Sequence, residues 1–349
     1  MGRFFCFSFF FFLNYLGVSQ SKYSNDFLSI GLDSRSISMS NSVVSSVSDL
    51  TAVFYNPAGL NYVSNFELGV MHSSYFAGIA EYDYMGFAMP VDSQSVIGIA
   101  LIRFGIDDIL NTTEILDENG NIDYDNISTF SSSDFASILS IAKKTKYNLN
   151  YGLSIKIIHR KIGPFASSWG FGLDLGLQYS IKNWNFGVCA KDITSTVNFW
   201  DINEDEFSNQ YEESGNIIPE DDVEFTYPKL IFGISREFKI YQDISCLYEM
   251  DFFMTWDGKR NTLVSTDLIS IDPSMGVEFD YKKIGFLRFG LGNFQKEQLI
   301  SSSQEKIKFQ PNFGIGINVH SFSVDYSLTD LGNSSAILYS NIFTLKYKW

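Results

Sequence analysis

The chain ends in Ile342-Phe343-Thr344-Leu345-Lys346-Tyr347-Lys348-Trp349. Apolar and polar side chains alternate along this stretch, which is the period of two expected of a β-strand. A soluble protein seldom has an aromatic stripe at a terminus, because termini are usually poorly ordered. The stretch is typical of the closing strand of an outer-membrane β-barrel, with a lipid face, a lumen face and interfacial aromatics. The lipid face consists of Phe343, Leu345, Tyr347 and Trp349.

The first residues indicate export. Arg3 precedes a phenylalanine-rich apolar run over 4–16, and the small residues Gly17 and Ser19 follow. A positive start, a short apolar run and small residues describe a secretory signal peptide, whereas a transmembrane anchor needs about 20 apolar residues. We therefore predict a signal peptide over 1–19, cleaved after Ser19.

Composition agrees with a membrane barrel. The chain is 45% hydrophobic and 16% aromatic, yet its apolar residues are spread singly among polar ones. Such alternation gives a weak signal per segment, as in barrels. The formal net charge of −15 argues against nucleic acid as a partner.

Fourteen segments alternate in this way, and many reach 10 residues or more, about the length that a tilted membrane strand needs. The strands of soluble β-sandwiches are usually shorter, about 5–6 residues. Residues 66–349 are therefore predicted to form a 14-stranded antiparallel transmembrane β-barrel. The predicted strands are 66–75, 83–90, 95–104, 134–143, 147–158, 168–179, 184–192, 228–238, 242–254, 273–281, 285–294, 308–319, 322–328 and 336–349.

Connection lengths predict the orientation of this barrel. Tight turns alternate with longer polar loops, of which the longest are 105–133, 193–227 and 255–272. Barrels of the outer membrane have short periplasmic turns and longer extracellular loops. We therefore expect a multi-pass protein of the cell outer membrane, with long loops extracellular and both termini periplasmic. Membrane lipid is an expected partner, as is the barrel-assembly machinery during insertion.

Charged residues on the predicted strands share one parity, which places them in the lumen. A charge on the lipid face costs a few kcal/mol near the midplane, about 2–4 for Arg or Lys. The sequence leaves open whether this set forms a satisfied polar interior or a substrate pathway. The inward set is Asp174, Gln178, Glu249, Asp251, Glu278, Asp280, Asp325, Lys156, Arg288 and Lys346.

Residues 20–65 do not alternate and are too few for a separate domain. Asp49 is placed to start a short helix, and Asn56-Pro57 is a capping residue followed by proline at the first helical position. Gly59 allows a turn out of this segment. A helical or irregular plug in the barrel lumen is the simplest interpretation of 20–65.

The N-terminal segment resembles that of PorV/PorQ-like outer-membrane proteins, which are related to the FadL fatty-acid transporter fold. The resemblance covers 27–60 and departs after Met39, where Ser40, Asn41 and Ser42 replace small residues and glycines. The Asn-Pro-Ala element is similar to that of the FadL plug, or hatch. The matching residues are Phe27, Leu28, Ile30, Gly31, Arg35, Met39, Asp49, Ala52, Asn56, Pro57, Ala58, Gly59 and Leu60.

This resemblance implies a role in the type IX secretion system. A PorV-like protein binds exported cargo or its C-terminal signal domain at the translocon and passes it on for surface release or attachment. The implied partners are therefore the translocon barrel and cargo C-terminal domains. The alternative is a FadL-like transporter of hydrophobic small molecules, which enter past the plug and leave by a lateral or periplasmic route.

Loop 193–227 is a candidate surface for partner contact. It is acidic and also carries aromatic side chains, which together could form a docking patch; an ordinary hydrated loop is the other interpretation. The aromatic residues are Phe199, Trp200, Phe207 and Tyr211.

Enzymatic function has little support in the sequence. No catalytic signature stands out, and His72, His159 and His320 are too scattered to form a metal site. The string 117–123 offers oxygen ligands, but it lacks the glycine and glutamate of an EF-hand loop at their required positions. We therefore predict a turn there, no metal site, no cofactor and no enzymatic activity.

Overall fold

The structure is a computed structural model that describes residues 24–75, 78–112, 115, 121–145, 147–206, 220–298, 305–329 and 340–349. The predicted signal peptide lies outside these residues. Among the helices that are described, none is long and apolar enough to cross a membrane.

The described residues include strands that all belong to one sheet. Fourteen of them correspond to the fourteen alternating segments, and three short ones are additional. The strands are β1 (Glu67–Tyr75), β2 (Ala80–Pro90), β3 (Ser95–Asn111), β4 (Ser128–Lys144), β5 (Leu149–Ile162), β6 (Ala166–Ile181), β7 (Trp184–Lys191), β8 (Thr196–Ile202), β9 (Val223–Thr226), β10 (Lys229–Tyr241), β11 (Ile244–Thr255), β12 (Val264–Ser265), β13 (Ser270–Tyr281), β14 (Gly285–Gln298), β15 (Glu305–Val319), β16 (Phe322–Thr329) and β17 (Ser340–Lys348).

Fourteen of these strands close into an antiparallel barrel, as predicted. The order runs from β1 to β7, continues through β10, β11 and β13 to β17, and returns to β1. Closure depends on β17, where Val70 of β1 pairs with Leu345 and Met71 pairs with Thr344. Closing the sheet pairs the backbone groups of both edge strands. This pairing is required in hydrocarbon, where an unpaired backbone N–H or C=O group is costly.

The connections between strands are shorter in the structure than the loops predicted from the sequence. Loop 105–133 is wrong at both ends, because β3 continues to Asn111 and β4 begins at Ser128. Loop 193–227 contains β8 and β9, and loop 255–272 contains β12. These additional segments prolong the barrel wall at the long-loop rim. Alternation does not reveal them, because outside the hydrocarbon both faces of a strand can be polar.

The two faces of the barrel wall differ as parity predicts. On β6, the outward row contains Trp169, Leu175 and Tyr179, which are 52%, 46% and 40% exposed. The inward Asp174 and Gln178 of the same strand are buried. All ten charged or amide side chains predicted to face the lumen are buried in the same way. The outward row is the surface that lipid would cover.

Residues 24–65 lie inside the barrel. They form a 3-10 helix at Asp26–Ser29, α1 (Ser34–Ser38), α2 (Ala52–Tyr55) and a second 3-10 helix at Pro57–Tyr62. We call residues 24–65 the plug. One side of the plug packs against apolar side chains of β1 to β4, and the other side faces a polar wall formed by β5 to β17. The apolar wall includes Met71, Tyr75, Tyr82, Tyr84, Ile102 and Ile138.

Replacing Leu175 by arginine should destabilise the folded barrel. Leu175 lies near the middle of the outward row of β6, where an arginine costs about 2–4 kcal/mol in hydrocarbon. The measurement is the free energy of unfolding in lipid vesicles, taken from denaturant titrations of the Leu175→Arg variant. Ser167→Arg, on the same face near the rim, is the control and should cost much less. Equal losses in the two variants would contradict the membrane placement.

Candidate functional site

The predicted plug motif, Asn56 to Leu60, lies against the inner wall of the barrel. Asn56 caps the 3-10 helix Pro57–Tyr62, since its side-chain oxygen accepts a hydrogen bond from the Ala58 N–H at 3.2 Å. The Asn56 amide also donates to the Leu177 carbonyl of β6 at 3.1 Å. The motif thus ends one helix of the plug, starts the next and attaches both to the wall.

Two wall glycines allow this close approach. A Cβ on Gly176 would lie 2.1 Å from the Asn56 side-chain oxygen, and one on Gly152 would lie 2.5 Å from the Pro57 carbonyl carbon. Both distances are too short for any side chain. The glycines of β5 and β6 therefore form the seat of the motif.

Side chains of the wall bind the backbone of plug residues 43–47. Asp251 accepts hydrogen bonds from the Val43 and Val44 N–H groups at 2.9 and 3.0 Å. Glu249 accepts from the N–H and the hydroxyl of Ser45 at 2.7 and 2.8 Å. The Gln178 amide donates to the Val44 and Val47 carbonyls at 3.1 Å each. Because these groups are buried, removing the plug would leave them without partners.

Buried ion pairs attach α1 of the plug to the opposite wall. Arg35 lies 2.9 Å from the Glu278 carboxylate. Arg288 binds the same carboxylate at 2.6 Å and that of Asp325 at 2.5 Å. Breaking a buried pair by losing one partner costs about 3–5 kcal/mol. The polar interior predicted from parity is therefore used to hold the plug.

Lys346 of the closing strand joins two plug carboxylates. Its ammonium lies 2.9 Å from Asp33 and 2.7 Å from Asp49. Burial by itself would raise the pKa of Asp49, but the Lys346 charge lowers that pKa below its ordinary value. Burial raises the pKa of Asp33, since one ammonium cannot fully compensate two carboxylates. The closing strand thus joins the plug as well as β1.

A cavity of about 120 Å³ lies between the plug and the wall. We call it the inner cavity. Its apolar lining comes mainly from the plug, with three wall residues, and its polar lining includes three lysines. The apolar residues are Leu28, Val44, Phe54, Tyr55, Ile138, Ile231 and Phe253, and the charged ones are Lys156, Asp174, Lys191, Asp192 and Lys229.

A larger cavity of about 820 Å³ lies at the long-loop rim. We call it the outer cavity. Strand ends supply part of its polar lining, for example Thr255, Ser270 and Thr329. It shares four lining residues with the inner cavity, so the two are adjacent. The shared residues are Ser29, Asn41, Lys229 and Phe253.

The barrel wall is interrupted beside the inner cavity. The strand that neighbours β6 changes along its length. Residues up to Phe171 pair with β8, and residues from Leu175 onward pair with β7. Between them, Asp192 and Ser195 have φ values of 56° and 55° in the left-handed region. The Ile193 N–H donates to the Leu173 carbonyl at 2.9 Å. The neighbouring strand breaks at the same level, at Tyr227 and Pro228 between β9 and β10.

Side chains close the interruption on the lumen side. Asp174 accepts from the Asp192 N–H at 2.8 Å, and Asp192 accepts from the Thr196 hydroxyl at 2.6 Å. Lys156 binds both aspartates. These polar bonds stand where the strand ladder would otherwise continue. We call residues 192–195 the wall break.

Two of the four predicted contact residues lie on a strand and not in a loop. Phe199 and Trp200 lie on β8, a strand, and their side chains face opposite sides of it. Phe199 is 54% exposed, whereas Trp200 packs with the Arg160 guanidinium 5.2 Å from its ring. Phe207 and Tyr211 lie outside the described residues. Contact with a partner at this surface stays a prediction.

The closing-strand residues lie where closure requires them. Phe343 and Leu345 are exposed on the outer face of β17, and the Trp349 N–H donates to the Phe66 carbonyl at 2.9 Å. Within the described ranges, no group of three or more His, Cys, Asp or Glu is arranged to hold a metal ion. Most of the string 117–123 lies outside those ranges.

Sequence reasoning missed the inner cavity and the wall break. The alternation along β7 and β10 places Lys191 and Lys229 in the lumen, and this was the only sequence feature that pointed to the inner cavity. The apolar lining could not be found from strand parity, because most of it comes from the plug. Asp192 and Ser195 are not glycines, and no sequence motif predicts their left-handed backbone conformation.

Solved structures show the same fold. The CymD monoaromatic hydrocarbon channel is 11% identical, with a TM-score of 0.57 over 92% of this chain and 98% of that one. The toluene transporter TodX of P. putida is 12% identical, with a TM-score of 0.58 over 91% and 99%. A Pseudomonas aeruginosa FadL homologue is 10% identical, with a TM-score of 0.51 over 90% and 98%. The chain therefore has the FadL-like barrel fold.

The sequence comparisons add no relative. No family model matches the chain, and no curated protein matches it significantly.

The predicted role in type IX secretion is wrong on these findings. The similar structures are named as hydrocarbon channels, toluene transporters and a FadL homologue, which favours the alternative transporter interpretation. The narrower PorV/PorQ resemblance is not shown by them. The translocon barrel and cargo domains were implied by that role alone, and no observation tests them as partners.

Replacing Gly176 by valine should displace the plug motif from the wall. The new Cβ would overlap the Asn56 side-chain oxygen at 2.1 Å, so Asn56 must move and its bond to Leu177 must break. We expect a larger ion conductance in planar bilayers and faster proteolysis within residues 24–65. Gly285→Val, at a position where a Cβ would contact nothing, is the matched control. An unchanged conductance in the folded Gly176→Val variant would contradict the seat described above.

Proposed function

We propose that this chain is an outer-membrane transporter of compact hydrophobic molecules. Solutes enter the outer cavity from the long-loop side, which we assign to the cell exterior, and move into the inner cavity. They leave through the barrel wall at the wall break, residues 192–195. Both termini are then periplasmic, as the loop lengths also indicate.

The observation that carries this proposal is the position of the inner cavity. It shares Ser29, Asn41, Lys229 and Phe253 with the outer cavity, so a solute would pass these residues to enter. Asp192 of the wall break lines its other end. Outside this point lies the lipid-facing row of β6, which includes Leu173. A path from water to hydrocarbon is therefore short here.

Energetics favour exit through the wall over displacement of the plug. Removing the plug would break the bonds of the buried carboxyl groups of Glu249 and Asp251 and the ion pair of the partly buried Arg35. Opening the wall break disturbs a ladder that is already interrupted between Phe171 and Leu175, and it separates one buried cluster, Lys156 with Asp174 and Asp192. The wall break is therefore held by fewer polar contacts than the plug is.

The names of similar structures agree with this solute class. They describe monoaromatic hydrocarbons and toluene as the cargo of those proteins. The inner cavity of about 120 Å³ has a comparable capacity, because an engineered cavity of about 150 Å³ in another protein binds benzene.

Filling the inner cavity should block transport. Ile231 is 3% exposed and lines the cavity, so an indole at this position would occupy much of the volume. We expect toluene uptake by cells or proteoliposomes carrying Ile231→Trp to fall roughly to the level of protein-free controls.

The matched control is Leu177→Trp, since Leu177 is 45% exposed on the lipid face of β6. This variant should transport normally. Wild-type uptake by folded Ile231→Trp protein would contradict a route through the inner cavity.

A disulfide across the wall break should prevent exit. The Cβ of residue 172 would lie 3.1 Å from that of Thr196, close to the spacing of about 3.5–4.5 Å in disulfides. The variant Gly172→Cys/Thr196→Cys is made in a Cys189→Ala/Cys246→Ala background. We expect oxidation to reduce toluene uptake severalfold and dithiothreitol to restore it. If uptake is the same in the oxidised and reduced protein, the wall break is not the exit.

A further inference from the structure

Two lysines face each other across the lumen side of neighbouring strands. In the β7–β10 ladder, Lys191 is directly opposite Lys229. The Cβ atoms of such a pair lie about 4.5–5.5 Å apart, and like charges at this spacing destabilise a sheet. Both side chains line the inner cavity.

Neither ammonium forms an ion pair with a carboxylate in the described part of the chain. Within the described residues, neither has a carboxylate oxygen within 4.0 Å. Lys229 donates to the Ser29 hydroxyl at 3.4 Å, and Lys191 lies over the Phe54 ring, 4.2 Å from its centroid. The nearby carboxylates of Asp174 and Asp192 are both bound by Lys156.

Among the residues that line the cavity, positive charges exceed negative ones. There are three lysines and two aspartates, and Asp26, which lines the outer cavity, acts on Lys229 only from beyond ion-pair distance. Both lysines are half-buried, so water only partly solvates their charges, and a counter-charge that reaches them would stabilise the cavity wall. One monovalent anion in the cavity would make this wall neutral.

The rest of the cavity lining determines which uncharged group the anion can carry. Phe54, Tyr55 and Phe253 supply aromatic surface, and Leu28, Val44 and Ile231 supply aliphatic surface. A volume of about 120 Å³ is similar to that of a cavity of about 150 Å³ that binds benzene, so one aromatic ring fills it. A head group at Lys229 would extend toward the outer cavity, which this lysine also lines. A long alkyl chain exceeds the inner cavity, and a small inorganic anion would leave the apolar surface uncovered.

We propose that the inner cavity binds a monoaromatic carboxylate, with the carboxylate between Lys191 and Lys229 and the ring against Phe54 and Phe253. This inference rests on the proposed entry route into the same cavity and names a ligand class for it. An ionised carboxylate, unlike a neutral solute, would be held there and would not leave through the wall break into hydrocarbon. It differs from the neutral hydrocarbons in the names of the similar structures, because the lysine pair adds a requirement for negative charge.

Benzoate binding to the purified full-length protein in detergent tests the proposal. Isothermal titration compares benzoate with toluene, acetate and decanoate. Benzoate should bind in a one-to-one ratio, and acetate and decanoate should bind at least roughly tenfold more weakly, because each lacks either the ring or the compact shape. Equal affinity for acetate or for decanoate would overturn the proposed selectivity.

Lysine variants test the role of the charges. Lys191→Met and Lys229→Met keep most of the apolar stem, and each should weaken benzoate binding roughly tenfold or more, since charge-assisted hydrogen bonds are lost. Toluene binding should change little. Lys239→Met, on the same strand as Lys229 but at the short-turn rim, is the matched control and should bind benzoate normally.

The outcomes separate this inference from the transport function. Toluene uptake without lysine-dependent benzoate binding would overturn the carboxylate site and leave hydrocarbon transport intact. Lysine-dependent benzoate binding without uptake of toluene would support the site and overturn transport. Circular dichroism of each variant establishes that the barrel is folded before either conclusion is drawn.

Discussion

The structure depends on one constraint: buried charged groups on the lumen side of the barrel need partners. A sheet closed in hydrocarbon must direct its charges inward, and the lumen is then too polar to pack against itself. The plug supplies those partners, with backbone N–H groups for Glu249 and Asp251, and Arg35 for Glu278. Barrel and plug are therefore one folding unit, and neither has a satisfied interior without the other.

The asymmetry of the lumen determines where a solute can pass. Against β1 to β4 the plug packs mainly through apolar side chains such as Met71, Tyr82 and Ile102. On the opposite side, polar contacts hold the plug at separate points, and the inner cavity lies between two of them. The same cavity is bounded by the wall break, so packing and a backbone irregularity meet at one place.

The resemblance implied two functions, and the solved structures favour the second of them, transport, over a role in secretion. The Asn56-Pro57 motif is shared in outline with PorV/PorQ-like sequences, but its contacts with Gly152 and Gly176 show only how a plug is seated. A seat of this kind serves any barrel with a plug and says little about cargo. The cavity beside it carries the functional information, and its lining comes from distant parts of the chain.

The sequence by itself determined the barrel, its fourteen membrane strands and the inward set of charges, because alternation with period two is a local property that lipid imposes on each strand. It also located the plug motif, since capping by Asn56 depends on neighbouring residues. Only the tertiary structure decided which groups the charges bind, where the wall break after β7 lies, and that Lys191 and Lys229 share a cavity with Phe54. These features arise from contacts between segments far apart in the chain, and no local pattern encodes them.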